Sequence, residues 1–224
     1  MAKWLPLESN PETINSFLTK IGVSSIDCVD VYSFDDEMLS FVPSPQLALL
    51  LCFPDYKKVD ELMAPVYEKA KQDGFVPPEK IFFMQQKIAN ACGTFALFHS
   101  LANCEGIVDL GKGSFREWLD KARPLDKQAR SDLLEGSNDL ASAHEDTARA
   151  GETDQNEHTE HHFITYVVID GTLYQIDSRA PFPRAIGPSS NATLVKDAGK
   201  NIQEELMSKL DNISFSALAL VNKS

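Results

Sequence analysis

Cys92, His162 and Asp177 are residue types that together support nucleophilic catalysis, and they occur in that order along the chain. Cys92 opens an apolar run that predicts a buried helix ending near Asn103. A helix N-terminus and a nearby imidazolium lower the pKa of a thiol from about 8.5 to roughly 3.5–7.5, which makes it nucleophilic. Gly93 is expected to leave room for a substrate carbonyl because it has no Cβ. The alternative is that Cys92 is a small core residue.

A β-hairpin is predicted around Asp170-Gly171, because this dipeptide separates two runs rich in β-branched and aromatic residues. With these two residues as the turn, Ile169 faces Thr172, and His162 and Asp177 become diagonal neighbours on one face. The carboxylate would hold one ring nitrogen as N–H and leave the other to accept the thiol proton. A one-residue slip would separate the pair. The alternatives are a solvent-exposed histidine and an aspartate that caps a strand end.

The length of 224 residues suits one domain, residues 1–224, and the net charge of −12 argues against binding to nucleic acid. Residues 1–6 lack the apolar region of a signal peptide, and the longest apolar run, residues 47–53, is too short to span a membrane. Four scattered cysteines without a Cys-x-x-Cys pair predict reduced thiols. We therefore expect a cytoplasmic protein, with the nucleus as an alternative location, and no cofactor.

The acidic charge is concentrated just before His162. Residues 131–161 hold nine acidic side chains and one basic side chain, a net charge of −8. Residues 141–161 contain no Val, Ile, Leu, Met or aromatic residue, so they bury too little surface to offset their ordering entropy. We expect residues 141–161 to form a structureless lid, with an inert surface insertion as the alternative. His158-x-x-His161-His162 could bind a metal, but a flexible backbone without preorganised ligands argues against it.

The rest of the chain predicts alternating helices and strands. Helices are expected at residues 11–21, 36–41, 55–73 with a break near Pro65, 92–103, 114–122, 126–135 and 194–210. Strands are expected at residues 26–34, 46–53, 81–84 and 213–221 in addition to the hairpin, and the strand at 46–53 is expected to be buried on both faces.

These features together resemble the ubiquitin C-terminal hydrolases, specifically their short single-domain forms. The resemblance covers nearly the whole chain and rests on residues 4–12, on the Gln-x-x-x-Asn-x-Cys-Gly-Thr run at residues 86–94, and on the 15-residue step from His162 to Asp177. It implies an α/β (α+β) class protein with a papain-like, knotted α-β-α sandwich and a central, mostly antiparallel sheet. It also implies that residues 136–161 form a long, flexible crossover loop at the active site. The chain departs from the family at Ser178, where the family pattern has Gly before Arg179.

The resemblance also implies roles for individual residues. Cys92 would be the nucleophile, His162 the general base and Asp177 the acid that orients the base. Gln86, six residues before the cysteine, would donate a side-chain hydrogen bond to the oxyanion, with the Cys92 backbone N–H as the second donor. Gln85 is an adjacent competitor that only the spacing excludes.

Three further positions match ubiquitin contacts of the family. Leu7 would contact the body of ubiquitin, and Glu8 and Asp30 would lie near its basic tail; plain solvated charge is the alternative for the two acids. The implied partner is ubiquitin, or a close relative such as Nedd8, and we expect a monomer.

The implied activity is that of a cysteine-dependent deubiquitinase. It would hydrolyse small or unfolded adducts from the C-terminal glycine of ubiquitin through a thioester acyl-enzyme. Two alternatives remain at this point: a non-catalytic ubiquitin-binding module on the same fold, and a Cys-His-Asp acyltransferase that uses a small acyl donor.

Overall fold

The structure is a computed structural model that describes residues 2–151, 160–210 and 214–223. Within these residues the helices are α1 (Pro11–Lys20), α2 (Asp36–Leu39), α3 (Tyr56–Gln72), α4 (Cys92–Asn103), α5 (Ser114–Ala122), α6 (Lys127–Glu135), α7 (Asn138–Ala150) and α8 (Leu194–Ile202), which continues into a π-helical turn at Gln203–Met207. The strands are β1 (Ile26–Asp30), β2 (Gln46–Phe53), β3 (His162–Ile169), β4 (Thr172–Ile176), β5 (Arg184–Pro188) and β6 (Ser216–Asn222).

One sheet joins the six strands of the described residues in the order β1-β6-β2-β3-β4-β5, and every pair of neighbours is antiparallel. All eight residues of β2 are buried, as its unbroken apolar sequence predicted. Successive side chains of a strand point to opposite faces. β2 therefore contributes side chains to two hydrophobic cores, one on each face of the sheet. One core contains Ala48, Leu50 and Cys52, and the other contains Leu49, Leu51 and Phe53.

Helices cover both faces of this sheet. The first core is filled by residues of α1, α4 and α5, including the buried aromatic rings of Phe17, Phe98 and Phe115. The second core is filled from α3 and α8, through residues such as Met63 and Ile202. The predicted class, a mixed α/β sandwich around an antiparallel sheet, is confirmed, whereas the organisation as one domain stays a prediction. Within the described residues, no helix combines the length and apolar character that a membrane span requires.

The predicted hairpin is confirmed in its turn and its register. Asp170 and Gly171 have φ values of +49° and +74°, the left-handed values that a type I′ turn requires. The ladder runs from the pair Ile169–Thr172 to the pair Thr165–Ile176. Beyond that pair β4 ends, and β3 continues alone against β2. Asp177 therefore lies just after its strand, where a turn aims it toward the start of β3.

The expectation of a flexible loop at residues 136–161 is wrong for residues 138–150, which form α7. The scarcity of large apolar side chains gave no sign of this helix. It packs through Leu140, Ala148 and a buried, hydrogen-bonded histidine. The Nε2–H of His144 donates to the Leu5 carbonyl at 2.7 Å, and its Nδ1 accepts from the Thr94 hydroxyl at 2.7 Å. Burial lowers the pKa of His144 to about 4, so the ring is neutral. Residues 152–159 of the expected loop, with His158, lie outside the described residues.

Other boundaries were also wrong. α3 continues unbroken through Pro65, and the strand expected at residues 26–34 ends at Asp30. Residues 81–84 form no strand, because side chains of α4 rather than a neighbouring strand satisfy their backbone. The Phe82 N–H donates to Asn103 Oδ1 at 2.8 Å, and the Met84 N–H donates to His99 Nε2 at 2.9 Å.

Candidate active site

Cys92 is the first residue of α4, and it remains partly exposed although the helix behind it is buried. Asn90 turns the chain into the helix with a left-handed φ of +62°. The first N–H groups of a helix have no intrahelical acceptor and carry the positive end of the helix dipole. The thiol therefore sits where backbone amides favour a negative charge, as the sequence predicted.

Gly93 serves packing rather than substrate access, contrary to the expectation from the sequence. A Cβ added to this residue would lie 3.2 Å from the Leu7 Cβ and 3.5 Å from a ring carbon of Phe163. The glycine thus lets the segment that carries Leu7 pack directly on the first turn of α4. This close packing places the N-terminal segment beside Cys92.

His162 and Asp177 form a buried hydrogen bond of 2.7 Å between Nε2 and Oδ1. His162 is only 3% exposed. The backbone N–H of Arg179 donates to the same carboxylate oxygen at 2.8 Å, which fixes the carboxylate in turn. Because Asp177 takes Nε2–H, the ring nitrogen that is left to exchange a proton with Cys92 is Nδ1. The sulfur also lies 4.0 Å from the carbonyl oxygen of His161.

The electrostatics of this group favour a thiolate–imidazolium pair. Burial raises the pKa of the Cys92 thiol, but the hydrogen bond and charge of His162 outweigh it and hold this pKa below its ordinary value. Burial lowers the pKa of His162, but the charge and hydrogen bond of Asp177 outweigh it and raise this pKa well above its ordinary value. The imidazolium likewise keeps the pKa of Asp177 low against its burial. The three shifts have one cause, a line of alternating charges in a desolvated place.

The other three cysteines behave oppositely. Burial raises the pKa of Cys28 and of Cys104 to about 12, and it also raises the pKa of Cys52. Cys92 is thus the one thiol of four that its surroundings activate. The alternative that Cys92 is an inert core residue does not fit this environment.

Gln86 lies beside Cys92, whereas Gln85 does not line the same cavity. The Gln86 side chain is held at both ends of its amide. Its Nε2 donates to the Ile88 carbonyl at 2.9 Å, and its Oε1 accepts from the Ser178 hydroxyl at 2.8 Å. Gln85 instead points its Nε2 at the Ala180 carbonyl, 3.4 Å away. Gln86, and not Gln85, therefore lies where a side chain could reach an oxyanion at Cys92, and its role as the donor stays a prediction.

Two cavities meet at Cys92, and Asn90 and His161 line both of them. The first, which we call the polar cavity, encloses about 400 Å³ and is also lined by Lys3, Tyr56, Gln86, Lys87, Ile88, Ala89, His162 and Arg179. The second, which we call the apolar cavity, encloses about 310 Å³ and is also lined by Pro6, Leu7, Glu8, Ser9, Cys52, Phe163, Ser214, Phe215 and Ser216.

The three residues matched to ubiquitin contacts occupy different places. Leu7 is buried and Glu8 partly exposed, and both line the apolar cavity. Leu7 therefore faces the groove beside the thiol rather than an outer surface. Asp30 is exposed at the end of β1, where its carboxylate accepts from the Tyr32 hydroxyl at 3.3 Å, and it lines neither cavity. All three ubiquitin roles stay predictions.

Sequence reasoning missed several side chains around the histidine. The guanidinium of Arg179 lies 4.2 Å from the centre of the Tyr56 ring and pairs with Asp60 of α3 at 2.9 Å. The Tyr56 ring lies 6.5 Å from the His162 ring. It also missed the contact of Ser178 with Gln86, although the departure at Ser178 was visible in the sequence. Among the described residues, no cluster of three or more His, Cys, Asp or Glu side chains is arranged to hold a metal ion.

The chain is similar to known proteins of one family. The family model described as ubiquitin carboxyl-terminal hydrolase, family 1, matches residues 4–208. A ubiquitin carboxyl-terminal hydrolase of Drosophila melanogaster is 38% identical over 223 residues, which cover 98% of each chain. Ubiquitin carboxyl-terminal hydrolase isozyme L1 of Homo sapiens is 35% identical over 217 residues, 96% of each chain.

A solved structure shares the fold. The catalytic domain of UCH37 from Trichinella spiralis, bound to ubiquitin vinyl methyl ester, matches with a TM-score of 0.75 and 22% identity. The match covers 98% of this chain and 96% of that one. At this identity the likeness establishes the architecture alone.

Proposed function

The chain belongs to ubiquitin carboxyl-terminal hydrolase family 1, and we propose that it is a cysteine-dependent deubiquitinase. Its substrates would be small or unfolded adducts on the C-terminal glycine of ubiquitin or of a close relative such as Nedd8. The observation that carries the proposal is the placement of the Cys92 thiol at a helix N-terminus, in one cavity with Gln86 and with His162, whose ring is hydrogen-bonded to Asp177.

The first half of the reaction forms a thioester. The Cys92 thiolate attacks the carbonyl carbon of the terminal glycine, so that a C–S bond forms and the carbonyl π electrons move to oxygen. The N–H of Cys92 and an Nε2–H of Gln86 stabilise this oxyanion. The imidazolium of His162 then gives its Nδ1 proton to the leaving amine or thiol as the bond to the adduct breaks.

The second half releases ubiquitin. Neutral His162 takes a proton from water, the resulting hydroxide attacks the thioester carbonyl, and the C–S bond breaks to return the thiolate. The carboxylate of Asp177 stays ionised throughout. It stabilises the imidazolium that acts as the acid in the first half and that forms again in the second half. Ubiquitin leaves with a free C-terminal carboxylate.

The two cavities suggest how the substrate lies. His162 lines the polar cavity and not the apolar cavity, and the general acid must reach the leaving atom. The leaving group therefore belongs in the polar cavity, and the glycine tail of ubiquitin belongs in the apolar cavity beside Glu8. Leu7 lines the same cavity, so it would contact the tail rather than the body of ubiquitin. The carboxylate of Glu8 would attract the basic residues of that tail.

Two further expectations join this proposal. The chain would act as a monomer in the cytoplasm, with the nucleus as an alternative location. The four free cysteines are compatible with a reducing compartment. Size-exclusion chromatography and cell fractionation would test the two statements.

The direct test is hydrolysis of a ubiquitin C-terminal fluorogenic amide. The wild-type protein should turn it over, and Cys92→Ala should lower kcat by about 10⁴-fold or more because the nucleophile is lost. Cys28→Ala, which removes a buried thiol in β1, is the matched control and should retain activity. Equal rates for wild type and Cys92→Ala would refute the proposal. Binding of ubiquitin without turnover would point to a binding module, and acylation by a small donor alone would point to an acyltransferase.

A further inference from the structure

Ser178 contacts Gln86 through both its backbone and its side chain. The Gln86 N–H donates to the Ser178 carbonyl at 2.9 Å, and the Ser178 hydroxyl donates to Gln86 Oε1 at 2.8 Å. Ser178 is 1% exposed, so water does not compete for this hydroxyl. It directly follows Asp177, and the same turn therefore holds the acid and the glutamine.

The direction of these bonds determines which end of the amide is available. Oε1 can only accept, so the serine hydroxyl is the donor, and Nε2 must donate to the Ile88 carbonyl. Turning the amide over would place Oε1 2.9 Å from another carbonyl oxygen, which is repulsive. The Ser178 hydroxyl and the Ile88 carbonyl, one at each end of the amide group, thus favour one of its two flipped orientations.

This orientation matters for an oxyanion. Nε2 carries two hydrogens, and the bond to Ile88 uses one, so the second can donate into the polar cavity. A freely turning amide would present its oxygen to the cavity part of the time, where it would repel the developing negative charge. A donor that already points at the position of the oxyanion stabilises it fully, because no reorientation is needed during the reaction.

We propose that Ser178 is a positioning residue that fixes the Gln86 amide for oxyanion stabilisation. The inference rests on the proposed function and adds to it a residue at which this chain departs from the Gly of the family pattern. Ser178 itself touches neither the substrate nor the thiol in this role. The competing explanation is structural: the hydroxyl would only stabilise the turn after Asp177.

Steady-state kinetics on the ubiquitin amide separate the two explanations. Ser178→Ala should lower kcat by about three- to tenfold, the effect of one lost hydrogen bond, and leave KM unchanged. In a Gln86→Ala background the same substitution should change kcat by less than about twofold, because the group that it positions is gone. Ser178→Gly, which also lacks the hydroxyl, is a second variant that should repeat the result.

Two probes sharpen the test. Ubiquitin C-terminal aldehyde forms a hemithioacetal with the thiol and places its oxygen in the oxyanion site, so Ser178→Ala should weaken its inhibition by a similar factor. Alkylation of Cys92 by iodoacetamide forms no oxyanion, and its rate and pH profile should not change. Ser131→Ala is the matched control, because it removes a buried serine hydroxyl that has no hydrogen-bond partner within the described residues.

Three outcomes would overturn the positioning role: unchanged kcat in both Ser178→Ala and Ser178→Gly, an equal loss of kcat in the Gln86→Ala background, or a shifted pH profile of alkylation. The proposed function would still stand in each case, provided that the wild type hydrolyses the amide. Failure of the wild type to hydrolyse the amide would overturn both proposals together.

Discussion

The polar and the apolar cavity share one nucleophile but are built differently. On the polar side, His162 and Gln86 are each fixed by hydrogen bonds to the segment that follows β4. On the apolar side, the wall consists mainly of packed side chains such as Leu7, Phe163 and Phe215. Catalysis requires hydrogen-bond donors and acceptors at fixed angles, whereas recognition of a narrow glycine tail requires a cavity of complementary shape. The difference indicates that substitutions on the polar side should change kcat and those on the apolar side should change KM.

Charge separates the cavities as well. Lys3, Lys87 and Arg179 line the polar cavity, and Glu8 is the carboxylate that lines the apolar one. Lys87 and Arg179 each pair with a carboxylate outside the cavity, Asp132 and Asp60, in partly exposed contacts that contribute little. An electrostatic division thus coincides with the division of roles.

The largest effect on the polar side is expected for Asp177→Asn. The amide cannot stabilise the imidazolium and allows the wrong tautomer, so kcat should fall on the order of 10³- to 10⁴-fold with little change in KM. Asp60→Asn is the control, since it removes the carboxylate paired with Arg179 and should cost less than about threefold. Steady-state kinetics on the ubiquitin amide measure both. A similar small loss in both variants would contradict the role of Asp177.

Gln86→Ala should have the next largest effect. Loss of one side-chain donor to the oxyanion lowers kcat by about 10²- to 10³-fold in related chemistry, and KM should hold. Gln85→Ala is a matched control on the adjacent residue, whose amide points to Ala180 instead. If Gln85→Ala were the more damaging substitution, the assignment of the oxyanion donor would be wrong.

The pH dependence of Cys92 alkylation tests the charge line itself. The pKa of Cys92 is lowered and that of His162 is raised, so the ion pair persists at pH values between these two pKa values. Iodoacetamide should therefore react rapidly below the ordinary pKa of a thiol. The rate should fall about tenfold per pH unit only on the acid side of the Cys92 pKa. In Asp177→Asn this fall in rate should begin at a higher pH. The imidazolium of His162 loses the carboxylate that stabilises it, so it stabilises the thiolate less. Coincident profiles for the two proteins would exclude the coupling.

The smallest effect is expected on the apolar side. Phe215→Ala removes part of the cavity wall, so KM for the ubiquitin amide should rise about three- to tenfold while kcat holds. Val76→Ala, an exposed apolar residue that lines neither cavity, serves as control. A fall in kcat with constant KM would place the tail of ubiquitin elsewhere and remove the contrast between the cavities.

The parts of the site that follow from local patterns could be predicted from the sequence. Asp170-Gly171 fixes the register of the hairpin within a few residues, and that register brings His162 to Asp177. The start of α4 at Cys92 and its end at Asn103 likewise follow from the local sequence. Nothing in that reasoning required knowledge of a distant segment.

Features that depend on distant partners could not be predicted in this way. α7 is stabilised partly through His144, whose acceptor at Leu5 lies 139 residues away. The contact between Ser178 and Gln86 spans 92 residues. The true reason for Gly93, the approach of Leu7, is also a tertiary contact. Single-sequence patterns carry no information about such pairs, although the departure at Ser178 marked the position.

The place of β6 in the sheet has a consequence for synthesis. This strand, residues 216–222, is the only neighbour of β1 within the described residues and separates it from β2. A ribosome synthesises Cys92, His162 and Asp177 well before it synthesises β6. β1 thus remains unattached to the sheet until β6 emerges, and the pairing that inserts β6 is expected to be slow because it is long-range.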